Sequence, residues 1–390
     1  MKTLKKVLAL ILAVLFCVGM VACSGKSGST PPAEVSSHDS AEKSTEPSGK
    51  VEYEPGVNGE VVISHWGGST SEAYRECYFN DFEKETGIKV VEVLATNNKS
   101  QLQAMVDTGS ADVDIMQGSL LEINYFDDRE KETGTKYIAD IDFSLLPEDE
   151  VEGLIRKFDN AVDAFGYASC IAYRTDVFNG DNVPNSWTDF WDVEKFPGMR
   201  TMVSGVSGDY PPLEFALLAD GKTIDNVYPM TDEDVDRAFE KLEEIKPYIL
   251  KWWMSGSEAP QMLIDGEVVM AEGFSGRFMT VAAQGAPIKI VYNEAAVNYD
   301  VFFIPEGSPN YENAHKLLSY MIEAERQAKF AKMTNYAPSN ANAIQYLDDE
   351  FVASLVTSPQ NLPYTYEVDN RFWADNMLQI QDRWLAWEGN

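Results

Sequence analysis

The chain is 390 residues long and carries 63 Asp and Glu against 31 Lys and Arg, which sets a formal net charge of −32 and a pI of about 4.3. Such an excess of anions repels a polyanion, and no basic face is visible, so nucleic-acid binding is excluded. With 44% hydrophobic residues, 19 Phe, 18 Tyr and 8 Trp the chain is globular and not an acidic tail, and at roughly 150 residues per domain it holds two or three domains.

The first segment is an address. Lys2, Lys5 and Lys6 precede an apolar run from Val7 to Phe16, shorter than the roughly 20 residues that span a bilayer, so residues 1–22 read as a secretory signal. Met20-Val21-Ala22-Cys23 resembles the bacterial lipobox, which implies cleavage before Cys23, lipidation of its thiol and anchoring at the extracytoplasmic face of the membrane. Loss of the signal removes three cations and leaves −35. Residues 23–58 are rich in Ser, Pro, Gly, Glu and Lys with no apolar periodicity, a flexible tether. Of the remaining thiols, Cys77 and Cys170 form no C-x-x-C and no zinc spacing. A disulfide and two buried free thiols both fit.

Beyond the tether, strands and helices alternate. Val61–Ser64 reads as a strand that stops at His65-Trp66-Gly67-Gly68-Ser69, and Ser71–Glu85 has helical apolar spacing that ends at Gly87. Ile88–Leu94 is a second strand, Ser100–Thr108 a helix and Val113–Met116 a third strand. This order predicts a parallel sheet, with ligand-binding loops after Trp66 and at Gln117-Gly118-Ser119. A new alternating block begins at Phe165–Tyr173. Ser186 starts a helix that ends by Pro197-Gly198, and Thr231–Ile245 is a charged helix with Asp232, Glu233 and Asp234 in its first turn. Gly266–Ala271, Ile288–Tyr292 and Tyr299–Ile304 read as strands. Ser308-Pro309-Asn310 opens a helix of about twenty residues, and the stretch from Asp348 to Trp387 is helical. The fold class expected is α/β with two lobes and a cleft between them, over 59–165, 166–297 and a return to the first lobe in 298–390.

The motifs of catalysis are absent. The sequence contains no H-E-x-x-H, no G-x-G-x-x-G, no P-loop and no G-x-S-x-G. His38 falls in the tether, His315 reads as a solvated or capping side chain, and His65 as structural. An extracellular hydrolase built on carboxylates stays as a remote alternative, since 63 acids allow any pairing. No cofactor and no metal are expected.

Several stretches resemble the polyamine-binding branch of the extracellular solute-binding proteins of ABC transporters. They are VVISHWGGSTSEAYRECYFNDFEKETGIKVV from Val61, SWTDFWDVEKFPGM from Ser186, PPLEFALLADG from Pro211, LIDGEVVMAEGFSGR from Leu263, YDVFFIPEGSPNYENAHKLLSYM from Tyr299 and TNYAPSN from Thr334. The resemblance covers nearly all of the chain after the tether. It implies a monomeric two-lobed protein of the type II periplasmic-binding fold, not an enzyme, that closes over a small cationic or zwitterionic amine and hands it to ABC permease subunits. Aromatic walls and carboxylates would hold a protonated amine. On that resemblance Trp66 is a stacking ring, Ser119 a polar cleft residue, Trp253 a wall from the second lobe with Ser257 beside it, Asp300 the amine-binding carboxylate, and Tyr336 a residue of the returning loop.

Two departures bear on the ligand. Polyamine binders usually carry a Trp two residues before the Asp, where this chain has Asn298 followed by Tyr299. Arg277 follows GFS-Gly in a region that resembles members binding γ-aminobutyrate, where an Arg holds a carboxylate and an Asp the amine. The ligand expected first is a polyamine, spermidine or putrescine. The alternative is an ω-amino acid such as γ-aminobutyrate.

Overall fold

The computed structural model describes residues 59–95, 98–207 and 210–389. The signal segment, Cys23 and the tether lie outside the described residues. Among the described residues eleven strands form one sheet: β1 (Glu60–His65), β2 (Lys89–Leu94), β3 (Ile115–Ser119), β4 (Lys157–Phe158), β5 (Ala161–Arg174), β6 (Arg200–Val203), β7 (Ile249–Trp253), β8 (Met270–Phe274), β9 (Ile288–Phe303), β10 (Ala337–Pro338) and β11 (Tyr366–Glu367). Their main order is β2-β1-β3-β9-β5-β8-β6-β7. Parallel pairing, as expected from the alternation, holds at both ends, where β1 pairs with β2 and β3, and β6 with β7 and β8. Between the ends the long strand β9 runs antiparallel to β3, β5 antiparallel to β8, and the two antiparallel to each other, so the sheet is mixed.

Those two long strands carry the chain from one lobe to the other. The end of β9, Asp300–Phe303, pairs with β3, while Ser169–Tyr173 of β5 pairs with β8. Sequence alternation divides β9 into two strands, and the structure shows why. Between Ala296 opposite Ser169 and Val291 opposite Ile171 the register slips, and Glu294 there adopts φ 63°. The bulge is pinned by Trp187, whose backbone N–H and indole N–H donate to the Glu294 carboxylate and carbonyl, each at 2.8 Å. One core, with Phe79, Phe82, Phe165, Phe302 and Phe330, fills the first lobe, and a second, with Trp187, Phe190, Phe215, Trp373 and Trp384, fills the other.

The helices follow their capping chemistry. Thr231 and Asp234 form a reciprocal capping box at the start of Asp232–Ile245, and Gly87 ends Asn80–Thr86 at φ 72°. The long helix expected from Asn310 is two, Tyr311–Met321 and Ala324–Thr334. Buried amides end the first one: Gln327 Nε2 donates to the Met321 carbonyl at 3.0 Å and Asn340 Nδ2 to that of Ile322 at 2.9 Å. His315 is buried at 1% exposure, not solvated; its Nε2 accepts the Asp142 N–H, which places the ring proton on Nδ1 facing the Tyr311 carbonyl. Cys77 and Cys170 are free and buried, and burial pushes the Cys77 thiol up to about 11. No helix among the described residues is long and apolar enough to cross a membrane.

Candidate functional site

The site is built where β1 and β3 end beside the crossing strands. β1 delivers Trp66 into a turn whose next two residues, Gly67 and Gly68, sit at φ 74° and 68°. A side chain at Gly67 would strike Leu94 at 2.6 Å. His65 anchors this turn: its Nδ1 accepts the Gly67 N–H at 3.1 Å, so Nε2 carries the proton and faces Glu92 at 3.0 Å. Burial holds the His65 imidazole below its usual pKa against the pull of Glu92. The result is a Trp ring 45% exposed, left on the surface by a rigid backbone.

Trp66 Nε1 donates to Asp300 Oδ2 at 3.0 Å, and Gln117 Nε2 donates to the same oxygen at 2.5 Å. Both donors are neutral. The Gln117 amide is oriented by Tyr74, whose hydroxyl donates to its Oε1 at 2.9 Å, leaving the NH₂ for Asp300. Burial, with Asp300 next in weight, keeps the Tyr74 phenol well above its ordinary pKa, so it remains a donor. Asp300 is 5% exposed and lies opposite Phe165 in the β5–β9 register.

From Asp300 a run of rings leads to a cation. Phe165 stacks on Tyr336 at 4.6 Å with the planes 4° apart, and the Tyr336 ring covers Gly276, where an added Cβ would lie 2.6 Å from it. Tyr167 packs edge-on against both Tyr336 and Phe274. Gly276 and Arg277 belong to the first turn of the helix Ser275–Ala283, which Phe274 begins without a side-chain cap. Arg277 is half-buried, its Nε is buried with no hydrogen-bond partner, and it makes no ion pair among the described residues. A guanidinium so placed, beside uncapped helix amides, has the chemistry to receive a carboxylate.

The other expected residues are distributed differently. Ser119 closes a capping box with Glu122, its hydroxyl 2.6 Å from the Glu122 carboxylate, so that group is spent on the helix Leu120–Thr133. Trp253 is no cleft wall: it is 2% exposed, donates to the Glu272 carbonyl at 3.0 Å and lies edge-on beneath Phe274. Tyr299 falls on the strand face opposite Asp300, under the Arg156 guanidinium at 3.4 Å from its ring centroid. Ser257 is exposed, 3.1 Å from Ser255 Oγ, one residue from Gly256, which abuts Phe274 and Arg277. Contacts thus link Trp66 to Asp300, Asp300 across the register to Phe165, Phe165 to Tyr336, and Tyr336 to the helix turn that carries Arg277. The structure adds Tyr74, Gln117, Phe165, Tyr167 and Phe274, which sequence reasoning missed. Asn298, on the Asp300 face, donates to the hydroxyls of Tyr167 (3.3 Å) and Tyr210 (3.2 Å) and accepts from Asn370 (3.2 Å). A surface cavity of about 330 Å³ lined by Tyr173, Lys289 and Tyr364 contains none of these residues.

Residues 78–359 match the family described as bacterial extracellular solute-binding protein. The chain is 30% identical over 329 residues, 84% of its length and 90% of the relative's, to a gamma-aminobutyric acid-binding protein of Pseudomonas aeruginosa. To spermidine/putrescine-binding periplasmic protein 1 of Haemophilus influenzae it is 25% identical, over 82% of this chain and 85% of that one. The solved structure of the Atu4243-GABA receptor superposes with a TM-score of 0.73 at 29% identity, over 84% of this chain and 97% of the other.

Proposed function

The chain belongs to the bacterial extracellular solute-binding protein family, as the solute-binding component of an ABC importer and not an enzyme, and from that premise we propose that its solute is an ω-amino acid of the γ-aminobutyrate type. One observation carries this reading: the buried, partnerless Nε of Arg277 on a half-buried guanidinium with no ion pair among the described residues. An unsatisfied buried donor costs about 1–3 kcal/mol, and more when charged, a cost that a ligand carboxylate would remove. Asp300, steadied by Trp66 and Gln117, then takes the ammonium end, and the Trp66, Tyr167 and Tyr336 rings flank the methylene chain. A polyamine ranks second. Relatives that bind one are more distant, and Arg277 would face a second ammonium with no anion to offset it.

Lobe closure about the β5–β9 crossing, with the chain divided at 165 and 297, completes the reading. Cys23 as the lipid attachment point belongs to it as well, and metabolic labelling with palmitate that persists in Cys23→Ala would remove that part. Calorimetric titration of the mature protein with γ-aminobutyrate, putrescine and spermidine tests the solute. Tightest binding of γ-aminobutyrate supports the proposal, and tighter binding of either polyamine rejects it.

A further inference from the structure

β1 ends at His65, whose ring is fully buried and whose Nδ1 accepts the Gly67 N–H at 3.1 Å, a side-chain bond that closes a small ring around Trp66. Two other bonds of the turn, from Thr70 Oγ1 to the Gly67 carbonyl at 2.7 Å and from the Ser71 N–H to the Gly68 carbonyl at 3.2 Å, lie after Trp66. Charged and titratable groups reach the imidazole from its neighbours. From β2, Glu92 Oε2 stands 3.0 Å from Nε2, while Glu92 Oε1 accepts from Arg75 of the helical turn Arg75–Phe79. Tyr74 meets the ring edge-on at 5.2 Å and gives its hydroxyl to Gln117. The carboxylate of this set is on the Nε2 side. At Nδ1 the imidazole meets a backbone donor, and a second proton there would set N–H against N–H in a place closed to water.

We propose that His65 is a positioning residue for the solute, acting through Trp66: its neutral form, with the proton on Nε2, holds the turn that presents the indole to Asp300 and to the ammonium end of the ligand. The proposal rests on the assignment of Trp66 and Asp300 to the solute site. Protonation at Nδ1 breaks the bond to Gly67, frees the peptide after Trp66 and loosens the indole N–H from Asp300 Oδ2, 3.0 Å away. Solute affinity therefore falls in acid. The burial that holds the imidazole below its usual pKa places that fall below about pH 6.5. The coupling is reciprocal, so bound solute moves the His65 titration to still lower pH.

Calorimetric titration of the wild type, His65→Asn and His65→Gln at pH 7.5 and pH 5.0 tests the proposal, with γ-aminobutyrate and with putrescine, both of which carry the ammonium. Asn places an oxygen that does not titrate where Nδ1 stands, able to accept the Gly67 N–H as in an Asx turn, whereas Gln reaches Glu92 and has no acceptor at that place. Between the two pH values the wild type should lose at least about threefold more affinity than His65→Asn. At pH 7.5 His65→Gln should bind about fivefold more weakly than His65→Asn, the worth of one neutral hydrogen bond. Equal pH dependence in the wild type and His65→Asn would overturn the proposal, as would His65→Gln binding as tightly as His65→Asn. If the variants fail to fold, the solute-free wild type decides. Its Trp66 indole N–H resonance, identified by its loss in Trp66→Phe, should shift together with the His65 ring signals at a midpoint below about pH 6.5, and an indole signal constant from pH 7.5 to pH 5.0 would overturn the proposal. That spectrum needs no solute, so a wrong ligand, seen as binding of neither compound, is told apart from a wrong role for His65.

Discussion

Trp66 and Asp300, 234 residues apart in sequence, meet through a 3.0 Å hydrogen bond from the indole N–H to Oδ2, and this contact ties the turn after β1 to the strand that crosses between the lobes. The bond presents the carboxylate and the ring as one surface. Because Trp66 is 45% exposed, its removal affects binding more than folding. Trp66→Phe keeps a ring and loses the donor, and should weaken solute binding about 5–10-fold, the worth of roughly 1 kcal/mol, while Tm moves by less than about 2 °C. Calorimetric titration and thermal unfolding of the same preparation check both halves.

Trp253 gives the opposite pattern. It is buried beneath Phe274 and donates to the Glu272 carbonyl, so Trp253→Phe leaves a gap and removes that hydrogen bond. The expected cost is about 1–3 kcal/mol of stability, with the affinity of the folded protein kept within about twofold. A loss of affinity with stability intact would return Trp253 to the wall of the cleft.

Gly276 lies under Tyr336, and an added Cβ would stand 2.6 Å from the ring and 2.7 Å from the Thr334 carbonyl oxygen. Backbone cannot yield as a flexible side chain can. Gly276→Ala should therefore displace the first turn carrying Arg277 and weaken binding about tenfold or more, the effect of 1–3 kcal/mol of overpacking, even though Ala is the better helix former. Titration of the variant against the wild type reads this directly.

The legible part of the molecule is the part governed by local rules. The Trp-Gly-Gly turn, the Gly87 helix end and the acidic first turn of Asp232–Ile245 follow from backbone freedom and capping, and Asp300 was named through the family resemblance. The Ser119-x-x-Glu122 spacing was also readable as a capping box, which removes Ser119 from the cleft. What the sequence could not supply is tertiary. Gln117 and Tyr74 serve Asp300 only because β1, β3 and β9 lie side by side, and no spacing announces it. Trp253, expected as a wall of the cleft, is buried, and its neighbour Trp252 packs edge-on against Trp384 and Trp387.

His315 and His65 set the pH response near neutrality. Burial, the largest cause, lowers both pKa values in the folded state, so the unfolded chain binds more protons as pH falls through its own histidine range near 6.5. Their contribution is full above that range and is lost below it. Denaturant titrations should show stability decreasing from pH 7 to pH 5, and His315→Gln should have a shallower decrease. Asp234, held down at about 2 although burial opposes it, chiefly by Lys222 and Thr231, acts in a different window, its stabilisation being lost only between about pH 4 and pH 2. An unchanged slope in His315→Gln would assign the neutral-range loss elsewhere.

The central claim is that one cleft reads both ends of its solute, an ammonium at Asp300 and a carboxylate at Arg277. Titration of Arg277→Ala with γ-aminobutyrate and with putrescine tests it most directly. Loss of a charged, half-buried pair partner predicts a drop in γ-aminobutyrate affinity of about 100-fold or more, with putrescine binding unchanged or tighter. Binding of γ-aminobutyrate by Arg277→Ala within about threefold of the wild type, a difference of less than 1 kcal/mol, would contradict the account.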